Sequence, residues 1–150
     1  MKYLHTMVRV TDIERSLAFY RDALGLEVLS RRDHEAGRYT LVFLAAPGNH
    51  EAQIELTYNW PKEDGSAETY SGGRNFGHVA YAVDDIYATC RRLMDHGVAI
   101  SRPPRDGQDA LARLSLGERV HHVDRNAVHD RATREQPSGH CFVLLAFRAR

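Results

Sequence analysis

The sequence LHTMVRVTDIERSLAFYRDALG, residues 4–25, has a second, shorter copy in the same chain, GHVAYAVDDIYATCRRLMDHG at residues 77–97. Five residues are identical in the two copies at a constant offset of 73 positions. The identical pairs are His5 and His78, Val10 and Val83, Asp12 and Asp85, Ile13 and Ile86, and Asp22 and Asp95. The chain is therefore predicted to contain one structural unit twice.

Each copy predicts a strand followed by a helix. The strands are predicted at residues 5–10 and 78–83, and Asp12 and Asp85 stand where a helix N-terminus needs a capping side chain. Apolar residues then recur at helical spacing, which predicts one buried face on each helix. They are Ile13, Leu17, Tyr20 and Leu24 in the first copy and Ile86, Cys90, Leu93 and Met94 in the second.

Three more strands are expected after the first helix, so that the first module reads β-α-β-β-β. Alternating or apolar runs predict them at residues 24–32, 37–46 and 52–58, with polar turns at 33–37 and 47–51. One such module is too small to bury a core alone. The two modules are therefore expected to pair their sheets, or to exchange them with a second chain.

The predicted fold class is α+β, with paired βαβββ modules in a single domain over residues 1–150. Module one covers residues 1–60, a polar linker with several glycines covers 61–75, and module two covers 76–150. The C-terminal end of module two is atypical, because residues 108–150 diverge from the pattern of module one.

The divergent part still contains strand-like segments. Strands are predicted at residues 98–104 and 110–116, whereas residues 117–138 show neither a convincing strand nor an amphipathic helix. The apolar run at 141–147 predicts a buried strand or an apolar tail.

Composition excludes several classes of protein. The 150 residues carry 20 basic and 20 acidic side chains, so there is no electrostatic reason to expect a nucleic acid or an anionic membrane as partner. No apolar run approaches the ~20 residues that span a bilayer. Two cysteines are too few for a disulfide framework, and the first ten residues lack the apolar segment of a signal peptide. A cytoplasmic protein is predicted.

Two histidines and one glutamate are candidate metal ligands. His5 and His78 occupy the same strand position of the repeated unit, and Glu55 lies in the middle of a predicted strand, where an ionised carboxylate needs a cation or several donors. Nitrogen and oxygen donors of this kind suit Ni, Co, Zn, Mn or Fe(II). The alternative is that the histidines are structural and that Glu55 faces solvent.

Two further residues are candidates for ligand binding. Arg9 shares a strand face with His5, and its planar guanidinium suits a carboxylate. Asn59 follows Glu55 at the end of a strand, where ligands are commonly bound. A surface arginine and a turn-forming asparagine are the competing interpretations.

The segments LHTMVRVTDIERSLAFYRDALGLEVL, IELTYNW and NFGHVAYAVDDI resemble glyoxalase I, the lactoylglutathione lyase of the vicinal-oxygen-chelate superfamily. The resemblance covers about residues 1–107. It implies paired βαβββ modules and a homodimer in which the modules of two chains together form each metal site. It also implies isomerisation of the hemithioacetal of methylglyoxal and glutathione to S-lactoylglutathione.

Residue by residue, the resemblance implies that His5, Glu55 and His78 are metal ligands. Arg9 and Asn59 match positions of the family that contact the glutathione portion of the substrate. His78 is also expected to be a substrate-binding residue. The implied metal is Ni²⁺ or Co²⁺, with Zn²⁺ as the other candidate.

The fourth ligand and base of the family is a glutamate in the last strand, and that segment is missing here. A count from Asp106–Gly107 without gaps puts His121 at its position, which predicts His121 as fourth ligand and catalytic base. A shift of a few residues offers Glu118 or Asp124 instead. We hypothesise that residues from about 108 onward are read in a shifted frame relative to a glyoxalase I gene.

The prediction from sequence is thus a metal-dependent lactoylglutathione lyase, with its activity impaired by the missing glutamate. One alternative is another enzyme of the superfamily, an epimerase or a dioxygenase. The other is a catalytically inactive module of the same fold that binds a small ligand or a metal, and the missing fourth ligand favours it.

Overall fold

The computed structural model describes residues 2–70, 78–104, 109–115 and 140–146. The chain divides into two compact units, residues 1–70 and 71–150, and the boundary falls within the predicted linker 61–75. The elements of the first unit are β1 (His5–Arg9), α1 (Ile13–Leu17), β2 (Glu27–His34), β3 (Tyr39–Ala46) and β4 (Asn49–Asn59). Those of the second are β5 (His78–Val83), α2 (Ile86–Asp95), β6 (Ile100–Arg102), β7 (Asp109–Ser115) and β8 (His140–Ala146).

The first unit is the predicted βαβββ module. Its sheet has the order β1-β4-β3-β2, in which β1 runs parallel to β4 and the other neighbours are antiparallel. The buried side chains alternate along β3 and β4, so that one face of the sheet belongs to the core. The core residues include Ile13, Leu17, Tyr20, Leu24, Leu26, Val42, Leu44, Ile54 and Leu56.

Both predicted helix caps are present. Asp12 accepts a hydrogen bond from the Arg15 amide at 2.9 Å, and Asp85 accepts one from the Ala88 amide at 2.8 Å. The predicted buried faces also form, except that Met94 is only half-buried. These features depend on residues three or four apart, which is why the sequence alone reveals them.

The first helix is less regular than its sequence pattern predicts. After α1 the chain continues as a π-helical segment, Ala18–Ala23, in which the Leu24 amide donates to the Phe19 carbonyl at 2.9 Å. The wider turn buries Phe19 and Ala23 in addition to the predicted Tyr20.

Two predicted turns are shorter than expected. Strand β2 continues to His34 because its polar residues have partners in the sheet: Asp33 accepts from the Thr40 hydroxyl at 2.6 Å, and the His34 ring stacks on Tyr39. Strand β4 begins at Asn49, directly after Gly48, whose φ of 73° suits a tight turn between antiparallel strands.

The second unit has the same strand order, β5-β8-β7-β6, but a different strand direction. Strand β8 is antiparallel to β5 and parallel to β7, whereas its counterpart β4 is parallel to β1 and antiparallel to β3. The connections give the physical reason. Two residues join β3 to β4 and require a hairpin, while the long connection 116–139 before β8 is sufficient for a parallel crossover.

In the second unit one predicted strand is shorter than expected, and one open alternative is decided. The strand predicted at 98–104 is limited to β6, and of the two interpretations of 141–147 the strand is the right one, since β8 lies in the sheet.

Cys90 is fully buried in α2, and burial raises the pKa of its thiol to about 12, which agrees with a packing role. None of the described helices is long and apolar enough to cross a membrane.

Candidate metal and ligand site

The parallel pairing of β1 with β4 brings His5 next to Glu55. In the register of these strands, His5 is opposite Gln53 and Met7 is opposite Glu55, and side chains two residues apart share a face. The His5 Nε2 atom lies 2.9 Å from Glu55 Oε2. Two residues 50 positions apart in sequence are therefore in direct contact on the face of the sheet opposite Ile54 and Leu56.

The surroundings of the pair fix the carboxylate. The Thr57 hydroxyl donates to Glu55 Oε1 at 2.9 Å, so that both carboxylate oxygens have a partner. The edge of the His5 ring meets Phe43, with the ring centroids 5.4 Å apart. The Glu55 side chain is only 13% exposed and that of His5 is 35% exposed. Burial of a carboxylate to this degree is energetically costly without such partners.

This geometry fits a divalent metal ion. An ion with bonds of about 2.1 Å holds adjacent ligand atoms about 3 Å apart, close to the separation of His5 Nε2 and Glu55 Oε2. The remaining oxygen of Glu55 is oriented by Thr57, as the ligating carboxylates of metal sites are oriented by an outer hydrogen bond. His5 and Glu55 are thus suited to be two ligands of one ion.

The other predicted metal ligands belong to the second unit. His78 begins β5 in the second unit, where it is exposed. His121, with its alternatives Glu118 and Asp124, lies outside the described residues. Within the described parts of the chain, no group of three or more potential ligands comes together. The structure therefore joins two of the four predicted ligands and leaves the others as predictions.

The sequence of β8 bears on the fourth ligand. This strand occupies in the second sheet the position that β4 occupies in the first, yet its sequence HCFVLLA contains no carboxylate residue. Ala80, the counterpart of Met7 in the repeat, is opposite Leu144 rather than a glutamate. The described strands of the second unit consequently contain no counterpart of Glu55 at that register position.

The predicted ligand-binding residues Arg9 and Asn59 lie at the far end of the same face. Arg9 is opposite Thr57 in the β1–β4 register, and Asn59 is the last residue of β4. The following residue, Trp60, donates through its ring nitrogen to the Thr40 hydroxyl at 2.9 Å. This contact fixes the strand end on which Asn59 lies.

Two residues that the sequence did not single out complete this end of the site. Glu68 Oε2 accepts hydrogen bonds from the Asn59 amide and, at 2.9 Å, from the Tyr70 hydroxyl. Arg9 lies close enough to Glu68 and Tyr70 for its positive charge to act on the pKa of both side chains. Both residues belong to the polar segment predicted as linker, and no periodic pattern marks them.

Two units, each with a strand, a helix and three further strands, define an α+β protein of the glyoxalase fold, and one of the two sheets carries a histidine–glutamate pair. Residues 2–113 match the family described as Glyoxalase/Bleomycin resistance protein/Dioxygenase superfamily. The chain belongs to this superfamily, as the sequence resemblance predicted.

Relatives that are similar in sequence support the same assignment. A lactoylglutathione lyase of Haemophilus influenzae is 41% identical over 116 residues, which cover 75% of this chain and 82% of the relative. A probable lactoylglutathione lyase of Synechocystis is 43% identical over 105 residues, covering 69% of this chain and 76% of the relative.

Solved structures share the fold. The trypanothione-dependent glyoxalase I of Leishmania major superposes with a TM-score of 0.64 at 29% identity, over 96% of this chain and 86% of that one. TnmS3, an antibiotic binding protein from Streptomyces sp. CB03234, superposes with a TM-score of 0.53 at 17% identity, over 99% and 97% of the two chains. The second comparison shows the fold alone.

Proposed function

We propose that the protein is a metal-dependent lactoylglutathione lyase, which isomerises the hemithioacetal of methylglyoxal and glutathione to S-lactoylglutathione. The observation that supports this most is the placement of the His5–Glu55 pair and of Arg9 with Asn59 on one sheet face. Asn59 is four residues beyond Glu55 on β4, about 13 Å along the strand. An elongated ligand with oxygen donors at one end and a carboxylate at the other suits this spacing.

The proposed metal is Ni²⁺ or Co²⁺, with Zn²⁺ as the alternative, held by His5, Glu55 and His78. When bound, such an ion supplies Lewis acidity to the oxygens of the substrate. Glu55 is fixed by Thr57 and so keeps its orientation toward His5. Arg9 and Asn59 would bind and orient the glutathione portion, and His121 would be the fourth ligand and the base.

We also propose a cytoplasmic homodimer. In the first unit, the face that carries His5 and Glu55 also leaves Met7 exposed, and the described residues of one chain do not gather a third ligand. A second copy that contributes its own module would cover this face and complete the site. Sedimentation at micromolar concentration, with and without added Ni²⁺, measures the expected dimer.

The test of the function is turnover by the purified full-length chain. With the hemithioacetal as substrate and Ni²⁺, Co²⁺ or Zn²⁺ added in separate reactions, formation of the thioester is followed by its absorbance. Metal-dependent turnover is expected. Tight metal binding without turnover would contradict the proposal and favour the inactive binding module, an alternative supported by the lack of a carboxylate in β8.

The role of His121 has its own test. His121→Ala is expected to weaken Ni²⁺ binding and to lower turnover by about 10²–10⁴-fold, the usual consequence of losing a general base. His122→Ala removes a neighbouring imidazole and is the matched control. If His121→Ala leaves both the metal affinity and the rate unchanged, His121 is neither ligand nor base.

A further inference from the structure

The carboxylate of Glu68 occupies the place where Arg9 and Asn59 are expected to receive a ligand. It accepts hydrogen bonds from the Asn59 side-chain amide and from the Tyr70 hydroxyl, and it interacts with the guanidinium of Arg9. Arg9 also interacts with Tyr70. This end of the sheet face therefore contains one cation, one anion and two neutral hydrogen-bonding groups close to one another.

Such a combination disfavours a ligand that is only an anion. A carboxylate that approaches Arg9 also approaches the negative charge of Glu68, and like charges at close range repel one another. A ligand that brings an ammonium group beside its carboxylate offers a partner to each charge. The α-amino acid end of a γ-glutamyl compound is a group of this kind.

We infer that Glu68 makes this end of the site a zwitterion-selective subsite: it binds the α-ammonium of the ligand beside the α-carboxylate that Arg9 and Asn59 are proposed to bind. This inference rests on the proposed function and adds to it a residue that determines specificity at the amino end of the ligand. Without a ligand, Glu68 is held by Asn59 and Tyr70, and a zwitterionic ligand offers a carboxylate to Arg9 and an ammonium group to Glu68.

The ionisation of Glu68 agrees with this role. The hydrogen bond from Asn59 and, next to it, that from Tyr70 lower the pKa of the Glu68 carboxyl, and Arg9 and Lys62 act in the same direction. Glu68 therefore keeps its negative charge at neutral pH, where the α-amino group of a peptide is largely protonated.

The experiment compares two ligands that differ only at the amino group. Binding of S-alkylated glutathione and of its N-acetyl derivative is measured by calorimetry on the full-length protein with Ni²⁺ added. The wild-type chain is expected to bind the free amine at least about tenfold more tightly, because a hydrogen-bonded charge pair is lost on acetylation. In Glu68→Gln this ratio is expected to fall close to one.

Glu63→Gln is the matched control, since it removes the same charge from the same segment but not from the group that accepts from Asn59 and Tyr70, and it is expected to retain the wild-type ratio. A preference that persists in Glu68→Gln, or equal affinities in the wild type, overturns the subsite while the proposed function stands. Tighter binding of both ligands by Glu68→Gln also overturns it, since Glu68 would then be a competitor. If the wild type binds neither ligand, the proposed function fails as well.

Discussion

Replacement of His5 by alanine is expected to remove specific metal binding by the full-length protein. The imidazole is one of the two donors that the structure places 2.9 Å apart, and without it Glu55 is left with Thr57 as its described partner. Mutation of a residue that only hydrogen-bonds to a metal ligand already lowers metal affinity by about 10–100-fold. Loss of a ligand itself is expected to lower the affinity by more than that. Equilibrium dialysis against Ni²⁺ or Co²⁺, followed by metal analysis, measures the effect.

The same sheet provides a control. His50 lies on β4 and its Nε2 atom is 2.6 Å from Glu27 Oε2, so it too forms a histidine–glutamate pair. The side chains of His50 and Glu27 are both more than half exposed, so this pair is an ordinary surface ion pair of small energetic value. His50→Ala is therefore expected to bind metal like the wild type. If His5→Ala retains one bound metal per site, His5 is not a ligand and the proposed function loses its main support.

The part of this site that the sequence predicted follows from the duplication. His5 and His78 share a position in the repeat, and strand alternation puts Glu55 on one face with Gln53 and Thr57. Neither argument fixes which strands are neighbours. The contact between His5 and Glu55 depends on the parallel pairing of β1 with β4, which is a property of the folded sheet.

What the sequence could not predict depends on contacts between distant residues or on long connections. Glu68 lies close enough to Arg9 to feel its charge, although 59 positions separate the two residues in sequence. Glu68 belongs to a segment whose composition is typical of a linker, so no local pattern reveals its place in the site. The direction of β8 depends on the connection 116–139, because a run of apolar residues fits either direction of pairing. The shifted reading frame concerns the coding DNA and remains a prediction.

Replacement of Leu56 by alanine is expected to destabilise the protein by about 2–5 kcal/mol, the usual cost of deleting a buried leucine side chain. Leu56 is 0% exposed in the core of the first unit, on the face of β4 opposite Glu55. In a chain of this size each kcal/mol lowers the melting temperature by about 2–4 °C. Thermal unfolding followed by circular dichroism gives the shift. Leu4→Ala deletes the same atoms from a residue that is 64% exposed, and it is expected to leave the melting temperature nearly unchanged.

Comparison of Leu56→Ala with a substitution of the adjacent Glu55 separates effects on stability from effects on metal binding. Glu55→Gln keeps the size of the side chain and its contact with Thr57, but it removes the charge that would bind a metal. It is therefore expected to abolish metal binding with a smaller loss of stability than Leu56→Ala. Leu56→Ala, studied below its melting temperature, is expected to bind metal normally, since its side chain lies on the core face. The opposite pattern, with Leu56→Ala losing the metal and Glu55→Gln losing the fold, would mean that the two faces of β4 have been assigned the wrong way round.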